Sequence, residues 1–174
     1  MKQRAIREDF HYGDEGKDRM IRIERAGRTL SEAEVVALEL RIGCRLPESY
    51  RCFLLENNGG VPTPDMDTID IEHLLGSPTD VGEFFGIDRP VTSSTIDWNL
   101  STFEGRISNQ MLPIACDSGG NLFCISLNER DYGSVVYCDF NPGFGYHVSN
   151  SAIYYPVAPD FDSFLERIRS FEDN

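Results

Sequence analysis

At 174 residues, 40% of them hydrophobic, the chain has enough apolar material for one core and needs neither a disulfide nor a metal to close it. No apolar run approaches the ~18 residues of a membrane span, and the basic opening MKQRAIREDF has no apolar segment behind it, so the sequence predicts a cytoplasmic protein without a secretory signal. The net charge of −13 falls almost wholly after Arg51, where five basic residues face 19 acidic ones, a field that repels nucleic acid and anionic membranes and draws in basic proteins.

Residues 1–30 mix charge and glycine with little periodicity and read as an N-terminal extension, with a short helix or strand around Arg19–Ile23; residues 31–174 read as one domain. Ser31-Glu32-Ala33-Glu34 is a capping box, followed by the stripe Val35, Leu38, Ile42 and a terminating Gly43. A second helix opens at Leu46-Pro47, with Tyr50, Phe53 and Leu54 as its buried face. Asn57-Asn58-Gly59-Gly60 stops it, because Asn and Gly tolerate positive φ. Val61–Asp65 is a turn-rich exit.

Alternation over Thr68–His73 predicts a half-buried strand with Asp70 and Glu72 outward, and Glu83–Ile87 a further short strand. Ile96, Leu100, Phe103 and Ile107 recur at helical spacing behind a cap at Ser94 or Thr95. Three strands within Leu112–Phe140, joined by two glycine-containing turns, make an antiparallel meander, with more β character at Ile153–Val157. Asp160 to about Phe171 closes the chain as a helix with Phe161, Phe164, Leu165 and Ile168 on one side. Helices first, a sheet in the middle and a helix last predict an α+β fold, a mostly antiparallel sheet packed against helices.

Four segments resemble the SMI1/KNR4 family, also called the SUKH superfamily. They are the Ser31–Gly43 helix running into Leu46-Pro47-Glu48-Ser49-Tyr50-Arg51-Cys52-Phe53-Leu54 and Asn57–Gly60; Phe84-Phe85-Gly86-Ile87; Leu112–Ala115 with Asp117–Asn121 and the Gly133–Asp139 strand; and the Phe161–Ile168 helix. The resemblance implies a compact α+β domain. It also implies an intracellular immunity protein of the bacterial kind, which binds and neutralises a polymorphic or contact-dependent toxin, many of them nucleases. Fungal members instead act as interaction hubs in cell-wall synthesis and signalling, which is the alternative reading. The signature positions Leu46, Pro47, Tyr50, Phe53, Leu54, Asn58, Gly59 and Gly60 read as core and turn positions that mark the fold.

Chemistry finds little footing. Cys44, Cys52, Cys116, Cys124 and Cys138 include no C-x-x-C pair and read as reduced core thiols, and His11, His73 and His147 are too scattered for a metal site. Asp139 with His147 and a serine at 126 or 149 lacks the G-x-S-x-G setting of a nucleophile. Asp65/Asp67 and Asp70/Glu72 read more simply as solvated acidic faces than as acid–base pairs, and Gly143-x-Gly145 as a turn. No catalytic residue, cofactor or metal is expected. The partner expected is a basic toxin domain. The expected binding surface is acidic: Asp65, Asp67, Asp70, Glu72, Asp80 and Glu83, within a stretch to Glu104 that holds one arginine, Arg89. Phe84, Phe85, Trp98, Tyr146, Tyr154 and Tyr155 are aromatic candidates for either anchors or core.

Overall fold

A computed structural model describes residues 21–63, 67–140 and 152–169. Local chemistry sets the first two helices. In α1 (Glu32–Ile42) the Glu34 carboxylate accepts the Ser31 amide and hydroxyl, each at 2.8 Å, and Gly43 ends the helix at φ +69°. In α2 (Glu48–Asn57) Pro47 occupies the cap, and Asn58 closes the other end in the left-handed region at φ +50°. Arg22–Glu24 forms β1, paired antiparallel with β2 (Val61–Thr63). This ladder carries part of the sequence assigned to the extension into the fold, and Leu30 is buried in the core.

The acidic connection is less regular than the alternation predicts. Strand β3 is only Thr68–Ile69, paired with β4 (Thr79–Asp80), because Thr68 also exchanges backbone bonds with Arg169 and the chain then turns away. Burial still alternates, with Ile69 and Ile71 inside and Asp70 and Glu72 outside. Likewise β5 is Glu83–Phe84, after which Gly86 bridges to Thr95. The third helix, α3 (Ile96–Thr102), begins where expected, with the Thr95 hydroxyl accepting the Trp98 amide at 3.2 Å. It ends well before Ile107: Phe103 leaves helical geometry and Gly105 sits at φ +72°.

The meander is as predicted. Met111–Cys116 (β6), Leu122–Ser126 (β7), Val135–Asp139 (β8) and Ile153–Ala158 (β9) follow β5 in one antiparallel sheet, in sequence order. Every residue of β7 and β8 is buried, so both faces of the sheet centre are covered. Helix α4 (Phe161–Arg167) is capped by Asp160, which accepts the Ser163 amide at 2.7 Å, and is shorter than predicted because Arg169 leaves it to pair with Thr68.

An aromatic cluster joins these layers. Tyr50 and Phe53 of α2 meet Phe161 of α4 at centroid distances of 5.0 and 5.1 Å. Phe84 lies 4.9 Å from Phe53, and Phe164 lies 5.3 Å from Phe123 of β7. Each buried ring contributes about 2–3 kcal/mol of hydrophobic stabilisation. The Tyr50 hydroxyl is buried with no acceptor among the described residues, and burial pushes its phenol pKa up. The fold is therefore the α+β arrangement expected, with four helices and a five-stranded antiparallel sheet among the described residues.

Candidate interaction surfaces

The Asn57–Gly60 turn does more than end a helix. The Asn58 side chain donates to the carbonyls of Arg28 (3.1 Å) and Ile87 (3.0 Å) and accepts the Ile87 amide (2.7 Å). Gly60 exchanges two backbone bonds with Phe84. A Cβ on Gly59 would stand 2.6 Å from the Phe84 carbonyl oxygen, and one on Gly86 would stand 2.3 Å from that of Asn58. Backbone meets backbone here with no room for a side chain, so both segments need glycine. The sequence pattern reveals that glycines are required, whereas their mutual contact is a product of the fold.

The six acidic residues expected at a partner surface do not share one setting. Asp65 lies outside the described residues. Asp67 is only 3% exposed, so its carboxylate is largely withdrawn from the surface expected to meet a partner. Asp80 is half-buried and accepts the Ser118 amide and hydroxyl, both at 2.9 Å, which fastens β4 to the β6–β7 turn. Glu83 is also half-buried, accepting the Ser94 hydroxyl at 2.8 Å and facing Arg89 at 3.6 Å. Asp70 and Glu72 are the two that are fully exposed, on a loop with Leu75 at 75% exposure near its tip. Among the aromatic candidates, Phe84 and Phe85 belong to the core, Trp98 and Tyr154 are exposed, Tyr155 is half-buried, and Tyr146 lies outside the described residues.

Other polar groups and the buried thiols are tied up structurally. Asp117 opens the Asp117–Asn121 turn by accepting the Asn121 amide (2.8 Å) and side-chain nitrogen (2.9 Å), together with the Tyr137 hydroxyl at 2.5 Å. The Ser126 hydroxyl is fully buried and donates to Asp131 at 2.8 Å, and the proposed histidine partner at 147 lies outside the described residues. Cys124 and Cys138 lie Sγ to Sγ at 3.5 Å in the sheet centre as free thiols. Burial, reinforced by the neighbouring sulfur, pushes the Cys124 thiol up, and burial takes Cys116 to about 12, so both are poor nucleophiles. Among the described residues no cluster of three or more His, Cys, Asp or Glu could hold a metal ion. No described helix is long and apolar enough to cross a membrane.

The sequence profile of the SMI1 / KNR4 family (SUKH-1) matches residues 29–167, most of the chain, and takes in all four motif segments but for Ile168 at the end of the last. The chain belongs to this family. No curated protein matches it. As an SMI1/KNR4 domain it joins a family that includes immunity proteins. In this member the signature residues have definite mechanical tasks: Leu46, Tyr50, Phe53 and Leu54 are core, Pro47 opens α2, and Asn58, Gly59 and Gly60 join α2 to the strand at Phe84.

Proposed function

We propose that this SMI1/KNR4 protein is an intracellular immunity protein that binds and neutralises a cognate polymorphic or contact-dependent toxin of the nuclease kind, without catalysis. A nuclease must be electropositive to hold its substrate, and an acidic inhibitor is steered to that same surface. The observation that carries the reading is the exposed pair Asp70 and Glu72, projecting from a loop anchored by buried Ile69 and Ile71, on a chain of net charge −13. Asp80 and Glu83 add charge at half-buried positions. The test is co-expression with any toxin domain found encoded beside this gene. Growth restored by the chain, together with a stable one-to-one complex of the two, is the expected result. Continued growth arrest with no complex would discard the immunity role in favour of a regulatory scaffold of the fungal type.

A further inference from the structure

Between the segment after β1 and the loop after β5 lies a cleft of about 620 Å³. Arg25, Gly27 and Arg28 line it from one side, and Glu83, Asp88 and Arg89 from the other. Polar contacts fix both sides. The Asn58 amide group holds the Arg28 carbonyl and the Ile87 carbonyl together, 3.1 and 3.0 Å away. The Arg89 side chain, 8% exposed, donates from Nη1 to the Asn58 carbonyl (3.0 Å) and from Nη2 to the Arg25 carbonyl (2.8 Å). A Cβ on Gly27 would stand 2.6 Å from the Asn58 oxygen and 2.8 Å from Arg89 Nη1, so the chain passes this closely only as glycine.

The charged groups around the cleft differ in their commitments. Glu83 is held by Ser94 and faces Arg89; Asp88 pairs with Arg28 at 3.2 Å; Arg28 is shared with Glu34 at 2.5 Å. Counting Glu34, three guanidinium groups face three carboxylates, so the site has no excess of positive charge. What it has is uncommitted donors. The exposed Arg25 guanidinium has no hydrogen-bond or ion-pair partner among the described residues, and Arg89 Nε is buried without an acceptor. Arg25 also sits at φ +51°, a left-handed conformation rare for arginine, and its carbonyl is pinned there by Arg89. The volume far exceeds that of a single inorganic anion and falls in the range of small-ligand sites.

We propose that this cleft binds a carboxylate-bearing peptide segment, with Arg25 gripping the carboxylate through two parallel N–H···O bonds. The cleft shares Glu83 with the proposed acidic face but includes neither Asp70 nor Glu72, and the proposal does not depend on the immunity reading. It is tested by titrating the ¹⁵N-labelled full chain with an acetylated, amidated Asp-Glu dipeptide, its Asn-Gln counterpart and inorganic phosphate, at matched ionic strength. Saturable amide shifts centred on residues 25–28 and 88–94 are expected with the acidic dipeptide alone. Arg25→Gly suits the positive φ and preserves the fold, and weakens binding at least tenfold. The double variant Asp70→Lys, Glu72→Lys binds the dipeptide as the parent does. No saturable shift, an equal response to the Asn-Gln peptide, a response to phosphate alone, or unchanged binding in Arg25→Gly would each overturn the assignment.

Discussion

The junction of Asn58–Gly60 with Phe84–Ile87 and the loop from Asp70 to Thr79 lie close in sequence and are built on opposite terms. At the junction, side-chain amide and backbone groups pair with one another, two glycines admit no Cβ, and the flanking Phe84 is fully buried among Phe53, Phe161 and Phe164. In the loop, Asp70, Glu72, His73 and Leu75 face solvent, and the ties to the body are the buried Ile71 side chain and the Arg167 guanidinium on the Asp70 carbonyl at 2.8 Å. The difference teaches a division of labour. One region fixes the shape of the domain and tolerates almost no change; the other is free to vary its chemistry without disturbing that shape.

The sharpest way to break this contrast is truncation of one apolar side chain in each region. Phe84→Ala removes a ring packed against three other aromatic rings from a filled core and is expected to cost about 4 kcal/mol. Leu75→Ala, at an exposed position, is expected to change stability by about 0.5 kcal/mol or less. Urea denaturation of the two variants decides it, and comparable losses would show that the loop is as structural as the junction.

A smaller effect sharpens the same contrast at α1, where Arg28 links the junction to the helix cap. The Arg28 guanidinium and the Ser31 amide and hydroxyl hold the Glu34 carboxyl down at about 2, against an ordinary 4.5. A depressed folded-state pKa gives stability that is complete above pH 4.5 and is lost as pH falls from there towards 2. The parent is therefore expected to lose its thermal-stability advantage over Glu34→Gln progressively across that window, while above pH 5 the gap stays constant. A gap that does not change with pH would remove Glu34 from the cap.

What was legible in the sequence follows the same line. The caps of α1 and α2, the glycine stops and the meander turns depend on residues within a few positions of one another, and each appeared where its chemistry placed it. The lengths of α4 and β3 were set by a distant event, Arg169 leaving its helix to pair with Thr68. Helix α3 stops instead at a local break, Phe103 and Gly105, that the helical spacing of Ile96, Leu100, Phe103 and Ile107 masked. The burial of Asp67 was not legible because the acidic composition of a stretch says nothing of which of its carboxylates the fold takes inside. The Arg25–Arg89 cleft was missed because Arg89 was read as the lone cation of an acidic stretch. Its actual partners, the carbonyls of Arg25 and Asn58, are main-chain atoms 64 and 31 positions away, which no local pattern reveals.

Stopped-flow association with the purified cognate toxin domain, for the parent and for Asp70→Lys, Glu72→Lys across a range of salt, bears most directly on whether the exposed acidic loop guides binding. At low salt the parent is predicted to associate about tenfold faster or more, with the two rates converging as salt screens the field. Equal rates at every ionic strength, with both proteins folded, would contradict it.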